Sequence, residues 1–357
     1  MKVKNLKKLL FVFFVGVLLF SVSSCGGNKK AEFKYWNSCD SLTKLTEYVE
    51  DVTNEKSKFF IPKADRIAVF DMDGTLCGEL FPTYLEYLLC AYRCLYDTTY
   101  QASKELKDVG ELIMEGAHGD GTGTYPSDMA LIHANAQAKA FAGLTPAQFE
   151  DYVQHNFLNR PADGFTGMNY SDSLYLPMKE VVSYLQANDF ITYIVSGSDR
   201  FICRSLASKE LNIPYNQIIG MDVKLVGTKQ GNTDGLDYTF TENDVLVRGD
   251  SLVLKNLQTN KVTNIAQEIG KQPVLSFGNS GGDTSMHMYT IHNNKYKSEA
   301  FMLIADDETR DYGNTKKNTE LGKKWKNDYG FNVISMKDNF KTIYGYDVRK
   351  TELKYTF

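Results

Sequence analysis

The segment Ile67–Leu76, IAVFDMDGTL, begins as a short apolar strand and ends in a turn that carries two aspartates. Side chains two residues apart on an extended strand point the same way, so Asp71 and Asp73 can face one small site. Gly74 allows a sharp turn directly after them. Two adjacent carboxylates repel each other unless a cation lies between them or one keeps a proton. The pattern indicates a metal-assisted site with a nucleophile and an acid. A surface turn or a calcium-loop fragment is the alternative, although the terminal Glu of a calcium loop is absent.

The composition is that of a globular protein. The chain has 357 residues, of which 43% are hydrophobic and 24% charged, and this length is enough to bury a sizeable core. Its formal net charge is −4, which argues against nucleic acid as a partner.

Short apolar strands alternate with amphipathic helices along most of the chain. The predicted strands are 66–70, Phe190–Val195, Pro273–Phe277, Ala300–Ile304 and Asn332–Met336, and two predicted helices are Pro177–Asn188 and Lys261–Gly270. This alternation predicts an α/β fold, a Rossmann-like doubly wound parallel sheet covered on both faces. Ligands of such sheets bind at the carboxyl ends of the strands, which is where Asp71 and Asp73 lie.

Two regions interrupt the alternation. Strand signals disappear over residues 80–176, where helices are predicted at 84–95, 102–115, 127–142 and 146–158. We interpret this region as a helical cap inserted after the first aspartates, and its glycine-rich segment 116–123 as a hinge or tip. Residues 220–250 predict a small antiparallel excursion with strands at Val223–Val226, Tyr238–Phe240 and Val245–Arg248.

The N-terminus predicts a lipoprotein. Residues 1–24 combine a lysine-rich start with a short apolar run, as in a secretory signal peptide. Cys25 follows Val-Ser-Ser, which resembles a bacterial lipobox, so we expect lipidation of Cys25 and a membrane-anchored protein of the cell envelope. Ordinary secretion and an uncleaved anchor are the alternatives. Residues 25–60 would form a tether and an N-terminal helix at 38–60. Five cysteines then remain, an odd number that allows at most two disulfides.

Further polar residues follow other predicted strands. Ser196 and Gly197 end an apolar strand, Lys261 opens a helix, and Asn279 and Asp283 follow the strand Pro273–Phe277. Each has an ordinary explanation as a helix cap, a surface lysine or a turn. Their order and their common placement at strand ends indicate one site.

These residues together resemble the four motifs of the haloacid-dehalogenase-like (HAD-like) hydrolase superfamily, in the branch close to phosphoserine phosphatase. Exported acid phosphatases and phosphorylcholine phosphatase are the most similar members. The resemblance covers about 61–357 and implies a catalytic core of 61–79 and 177–357 with a cap of 80–176. It implies a phosphatase that hydrolyses small phosphate monoesters through an aspartyl-phosphate with Mg²⁺ as cofactor.

The resemblance also implies the roles of single residues. Asp71 is the expected nucleophile and Asp73 the general acid and base, while Ser196, Gly197 and Lys261 bind the phosphate. The expected metal ligands are Asp71, Asp73, Asn279 and Asp283.

Several points stay open in the sequence. Asn279 stands where an aspartate is more usual, which predicts weaker Mg²⁺ binding but less repulsion of a phosphate dianion. Lys255 competes with Lys261 for the third motif. Glu79 is either a surface residue at a helix start or, as the resemblance implies, lies near the position where phosphoserine phosphatases bind the substrate's ammonium, which would favour phosphoserine, phosphoethanolamine or phosphocholine. A set of aromatic residues in the predicted cap either binds a quaternary ammonium by cation–π contacts or only packs in the core: Phe81, Tyr84, Tyr87 and Tyr92.

A dehalogenase fits the motifs less well, and a non-catalytic binding lipoprotein on the same fold is the alternative function.

Overall fold

A central, mostly parallel β-sheet organises the protein. The computed structural model describes residues 32–79, 83–117 and 125–357. Within them, the strands are β1 (Ile67–Phe70), β2 (Phe165–Thr166), β3 (Ile191–Asp199), β4 (Ile218–Gly227), β5 (Leu246–Leu254), β6 (Leu275–Gly278), β7 (Glu299–Ile304), β8 (Asn332–Ser335) and β9 (Arg349–Lys350). Seven of these strands form the central sheet in the order β5-β4-β3-β1-β6-β7-β8. The predicted doubly wound α/β fold is confirmed.

Strand β1 lies in the middle of the sheet, parallel to both β3 and β6. All four of its residues are buried. Ala68 and Phe70 pack into one hydrophobic cluster, whereas Ile67 and Val69 pack into another. Alternate residues of a strand face opposite sides of the sheet, so both faces of the sheet are covered. The aspartates therefore follow a strand that is buried on both faces in the middle of the sheet.

The region 218–254 differs in part from its prediction. Strand β4 pairs in parallel with β3 and antiparallel with β5, so it belongs to the central sheet as well as to the predicted excursion. Its first residues, Ile218 and Ile219, were not predicted as a strand because the apolar run is short. The predicted strand Tyr238–Phe240 is wrong: this segment is irregular, and Phe240 is 54% exposed. Its apolar residues have no sheet neighbour to pack against.

Helices flank the sheet and form a separate group after β1. Their bounds are α1 (Asp40–Thr53), α2 (Leu85–Ala91), α3 (Lys104–Gly116), α4 (Met129–Ala140), α5 (Pro146–Tyr152), α6 (Leu176–Ala187), α7 (Arg200–Leu211), α8 (Thr259–Asn264), α9 (Thr284–Ile291), α10 (Thr315–Tyr329) and α11 (Met336–Asn339). Helices α2, α5 and α8 each continue into a π-helical turn, to Tyr96, Leu158 and Ile269. The four cap helices predicted from the sequence correspond to α2–α5. The division into core and cap at residues 80 and 176 stays a prediction.

Local sequence signals explain several helix ends. Helix α5 begins with a capping box, in which the side chains of Thr145 and Gln148 each accept the backbone N–H of the other residue. Helix α8 begins two residues before Lys261, which was predicted to open it. Helix α1 buries Leu45, Val49 and Val52 against the core.

The cysteines of the described chain are not joined by disulfides. Cys77, Cys90, Cys94 and Cys203 are buried thiols, and Cys39 is half-buried. Cys90 and Cys94 pack in the hydrophobic core. None of the described helices has the length and apolarity that a membrane span requires. The predicted signal peptide, the lipidation site Cys25, most of the glycine-rich segment 116–123 and Phe81 lie outside the described residues.

Candidate active site

The first two aspartates leave β1 into a tight turn. The N–H of Asp71 donates to the carbonyl of Phe277 at 2.9 Å, so the sheet ladder continues one residue past the strand. The carbonyl of Met72 then accepts the N–H of Leu76 at 2.8 Å. Gly74 has a φ of 76°, which strongly favours glycine. Asp71 and Asp73 are both 7% exposed and line one cavity.

Lys261 lies between two of the predicted site carboxylates. Its Nζ is 2.5 Å from Asp71 Oδ1 and 2.6 Å from Asp283 Oδ1. The three residues come from the end of β1, from α8 and from the turn after β6. Lys261 is fully buried, and the two carboxylates raise the pKa of its ammonium although burial opposes the charge. Lys261, Asp71 and Asp283 thus form a buried ionic triad.

Lys255, the competing lysine, contacts a different carboxylate. Its Nζ is 2.8 Å from Glu86 Oε1, and Glu86 lies on the cap helix α2. The side chain of Lys255 lines the same cavity as Asp71. Of the two lysines, only Lys261 contacts Asp71 and Asp283, and its assignment to the third motif stays a prediction.

The end of β3 contributes Gly197 and Ser198 to the cavity. Ser198 Oγ donates to Asp73 Oδ2 at 2.6 Å. Ser196 is fully buried behind this turn, and its Oγ accepts the N–H of Ser198 at 3.0 Å. The structure therefore places Ser196 in the wall of the site, with Ser198 nearer the carboxylates. The phosphate-binding role of Ser196 stays a prediction.

Asn279 and Glu79 meet at one side of the cavity. Asn279 Nδ2 donates to Glu79 Oε2 at 2.5 Å. The backbone N–H groups of Asn279 and Ser280 both donate to Asp283 Oδ2 at 3.0 and 3.1 Å. The turn after β6 thus holds one oxygen of Asp283, while Lys261 holds the other.

Burial leaves several carboxyl groups of the site with raised pKa values. It raises the pKa of Asp73 to about 7, where the Ser198 hydrogen bond opposes the shift and the charge of Glu86 adds to it. It also raises the pKa of Glu79 to about 7, with the charges of Asp71 and Asp283 adding to the shift. The pKa of Asp71 rises for the same reason and because of Asp283, since one ammonium serves both groups. A carboxyl that keeps its proton near neutral pH is suited to general acid catalysis.

The donor set fits a hard cation such as Mg²⁺. Carboxylates outnumber ammonium groups among the described residues lining the cavity: Asp71, Asp73, Glu79, Glu86 and Asp283 against Lys255 and Lys261. No group of three or more His, Cys, Asp or Glu side chains in the described chain is spaced to hold a metal by itself. Mg²⁺ usually binds through one or two carboxylates and keeps several waters. Asp71, Asp73, Asp283 and Asn279 carry oxygen atoms of this kind, and their role as Mg²⁺ ligands stays a prediction.

The cavity has a volume of about 100 Å³. Besides the charged groups, its lining includes Tyr84, Tyr87 and Ala130 from the cap helices and Leu257 from the core. Tyr92 does not line it: its ring packs near Phe157 and Phe357. The cavity therefore lies between the carboxyl ends of the strands and the inserted helices.

Sequence reasoning missed two polar groups of this site, Ser198 and Glu86, and one contact between side chains. Ser198 is two residues after Ser196, the same spacing as the two aspartates, so its orientation was available from the strand period. Glu86 is the only charged residue of the apolar helix α2, which is a signal for a buried role. The pairing of Lys255 with Glu86 depends on tertiary contacts and has no local signal.

The fold is shared with solved structures of low sequence identity. A conserved protein of unknown function from Anaerococcus prevotii is 11% identical and has a TM-score of 0.51, over 92% of this chain and 99% of that chain. A phosphoserine phosphohydrolase-like protein from Francisella tularensis is 16% identical, with a TM-score of 0.38 over 75% and 94% of the two chains. Cytosolic 5′-nucleotidase IIIB bound to cytidine is 11% identical, with a TM-score of 0.46 over 82% and 84%. At these identities the likeness concerns the fold alone.

No protein-family model matches the sequence, and no curated protein matches it significantly. The mostly parallel sheet and the helices that follow β1 agree with the prediction from the sequence. The likeness to solved structures thus supports the α/β fold, and the resemblance of this chain to the haloacid-dehalogenase-like hydrolase superfamily and to its phosphoserine phosphatase branch stays a prediction.

Proposed function

We propose that this protein is a phosphatase that hydrolyses small phosphate monoesters through an aspartyl-phosphate on Asp71, with Mg²⁺ as cofactor. The contact of Lys261 Nζ with both Asp71 and Asp283 is the observation that best supports the proposal. These residues are far apart in sequence, and each belongs to a different motif. A buried ammonium costs free energy unless carboxylates pair with its charge. The burial of Lys261 therefore requires the two aspartates, and a chance meeting of these residues is a poor explanation.

In the first step, a carboxylate oxygen of Asp71 attacks phosphorus and the bond from phosphorus to the leaving oxygen breaks. Asp73 donates its proton to that oxygen, so the alcohol leaves neutral. The raised pKa of Asp73, about 7, supports this role because a protonated carboxyl is required. The Ser198 hydrogen bond fixes the orientation of the Asp73 carboxyl.

In the second step, Asp73 accepts a proton from a water molecule, which attacks phosphorus of the aspartyl-phosphate. The bond from phosphorus to Asp71 breaks, and the products are inorganic phosphate and the free Asp71 carboxylate. The two steps together consume one water and return both aspartates to their starting states.

Positive groups of the site would stabilise the charge on the transferred phosphoryl group. Lys261 is a donor that this chain supplies beside Asp71, and Ser196 and Gly197 are the further predicted phosphate-binding residues. Mg²⁺, held by Asp71, Asp283 and Asn279, with Asp73 the further predicted ligand, would supply a Lewis acid that neutralises phosphate charge.

The cavity supports a small substrate with a positive charge on its alcohol portion. A volume of about 100 Å³ accommodates little more than a phosphate and a short chain. Glu79 lines it, and Tyr84 hydrogen-bonds Glu79. Phosphoserine, phosphoethanolamine and phosphocholine meet these conditions. A substrate panel with wild type and Glu79→Gln tests this preference, which predicts a selective loss for the amines.

Phosphate release from p-nitrophenyl phosphate, with Mg²⁺ and with EDTA, tests the activity itself. We expect turnover with Mg²⁺, little with EDTA and none for Asp71→Asn. Retained turnover by pure Asp71→Asn protein would contradict the nucleophile assignment. Absence of wild-type turnover on the whole panel would favour the alternative, a binding lipoprotein on this fold.

We also propose that Cys25 is lipidated and anchors the protein to a membrane of the cell envelope. The lipobox-like sequence supports this proposal. Metabolic labelling with a radioactive fatty acid should mark the wild type and not Cys25→Ser. Equal labelling of both would contradict it.

A further inference from the structure

Glu86 is a buried carboxylate of the cap helix α2 that the mechanism above does not use. It is 3% exposed and lines the catalytic cavity. Its two oxygens have different partners: Oε1 is 2.8 Å from Lys255 Nζ, and Oε2 accepts the N–H of Asp199 at 3.0 Å. Both partners belong to the sheet side of the cavity. Glu86 therefore joins the cap to two segments of the core at once.

The first of these segments is the turn at the end of β3. Asp199 directly follows Ser198, whose hydroxyl holds Asp73 at 2.6 Å. The Asp199 side chain is itself fixed, because Arg248 Nη2 lies 2.6 Å from its Oδ2 in a fully buried ion pair. A carboxylate that binds the Asp199 N–H thus holds the backbone that presents Ser198 to Asp73.

The second segment leads from β5 into α8. Asn256, next to Lys255, donates from Nδ2 to the carbonyl of Ser196 at 3.0 Å. Asn264 on α8 donates to Asn256 Oδ1 at 3.1 Å, and α8 also carries Lys261. Fixing Lys255 therefore fixes a segment that joins the second motif to the third.

A second cap helix supports Glu86 from the other side. His133 of α4 lies with Nδ1 3.6 Å from Glu86 Oε1 and with Nε2 3.1 Å from the Glu86 carbonyl. Burial would raise the pKa of Glu86, but the charge and the hydrogen bond of Lys255 oppose it, and the pKa lies below its usual value. Burial lowers the pKa of His133 to about 4, so His133 contacts Glu86 as a neutral ring near pH 7. A buried charge is stable only while its partners stay in place. The Glu86 contacts therefore exist only when α2 and the core are correctly apposed.

We propose that Glu86 is a positioning residue of the proposed phosphatase reaction: its two oxygens hold the Ser198 turn and the Lys255 segment in register with the aspartates when the cap lies over the site. The proposal rests on the proposed function. It gives the cap a role in assembling the phosphate-binding groups, beyond covering them.

The test combines kinetics with hydrogen exchange on the full protein. Glu86→Gln keeps the shape of the side chain and removes its charge. We expect kcat for p-nitrophenyl phosphate to fall by about 10- to 100-fold, because misplacement by about 1 Å has such effects, while KM changes by less than about threefold. Amide exchange should accelerate at 196–199 and at 255–261, and should stay unchanged in β6.

Asp97→Asn is the matched control. Asp97 is a cap carboxylate bound by Arg93 at 2.6 Å and Tyr152 at 2.7 Å, and it does not line the cavity. We expect this variant to lose stability but to keep kcat within about twofold per folded molecule. Lys255→Met leaves the Asp199 contact in place, so it should loosen 255–261 and spare 196–199. Lys255→Met also tests the contact between Glu86 and the Lys255 segment if Glu86→Gln fails to fold.

A double-mutant cycle with Ser198→Ala separates positioning from general stability. If Glu86 acts through the turn, Ser198→Ala costs less kcat in the Glu86→Gln background than in wild type. Unchanged exchange at 196–199, or a kcat loss that only matches that of Asp97→Asn, would overturn the inference. An inactive wild type would overturn the proposed function instead, and exchange at 196–199 would still decide whether Glu86 holds the turn.

Discussion

Asn279 donates a hydrogen bond to Glu79 at 2.5 Å, so an amide after β6 meets a carboxylate after the turn of β1. An aspartate at position 279 has no N–H to donate and would face Glu79 as a second negative group. The contact gives a physical reason for asparagine where related sequences carry aspartate. It also links the predicted metal ligand to the predicted ammonium site.

Asn279→Asp should therefore strengthen Mg²⁺ binding and lower the stability of the metal-free protein. We expect the Mg²⁺ concentration for half-maximal activity to fall several-fold, because a charged oxygen replaces a neutral one. We expect a lower melting temperature without Mg²⁺, because two buried carboxylates then repel each other. Magnesium titrations of activity and thermal melts in EDTA measure both effects. An unchanged half-activation concentration would contradict the explanation for Asn279.

The two lysines should differ sharply in their effects on turnover. Lys261→Ala removes the ammonium between Asp71 and Asp283, and we expect kcat to fall by at least about 100-fold. Lys255→Ala should cost less, because Lys255 contacts Glu86 and neither member of the triad. Kinetics with p-nitrophenyl phosphate, normalised to folded protein by circular dichroism, make the comparison. A larger loss in Lys255→Ala would assign the third motif to Lys255 instead.

Gly74→Ala should damage the site beyond its backbone strain. A Cβ at Gly74 would lie 1.9 Å from Asn279 Nδ2 and 2.6 Å from Glu79 Oε2. Gly143 has a similar φ of 86° and no atom within 4 Å of such a Cβ, so Gly143→Ala isolates the strain. We expect about 1–2 kcal/mol of lost unfolding free energy from strain in each. Only Gly74→Ala should also lose activity, and equal kcat in the two variants would contradict the contact.

We expect the stability of the protein to depend on pH through Asp311, a residue outside the catalytic motifs. Burial raises its pKa to about 7, although Tyr312 N–H and Tyr344 Oη donate to its carboxyl. The folded state therefore binds this proton more tightly than the unfolded state. That contribution is present below about pH 4 and is lost as pH rises to 7.

Asp311→Asn cannot titrate, so it should gain stability relative to wild type as pH rises. We expect a gain of about 3 kcal/mol between pH 4.5 and 7.5, from about 1.4 kcal/mol per pH unit. Urea unfolding at several pH values measures it. The exposed Asp108→Asn is the control and should show no such trend. A difference independent of pH would mean that Asp311 stays charged in the folded protein.

Elements with a strong local pattern could be predicted from the sequence. The core strands beside β1 are short runs of buried apolar residues. Such a run can be recognised as a buried strand from the sequence alone. The capping box at Thr145 marked a helix start for the same local reason. Strand β4 was only partly recognised, since half of it pairs in the parallel sheet and half in a hairpin. Pairing partners distant in sequence leave no periodic signal.

The sequence by itself determined the sheet class and the order of the motif residues, because strand period and turn chemistry are local properties. Only the tertiary structure decided which polar side chains contact each other. The contacts are those of Lys261 with Asp71 and Asp283, of Lys255 with Glu86, and of Asn279 with Glu79. The same lysine side chain suits any of these carboxylates, so residue type cannot select the partner. Burial selects the partner, because an unpaired buried charge costs free energy. Each charged group therefore pairs with the group that the packed strand ends and cap helices place next to it.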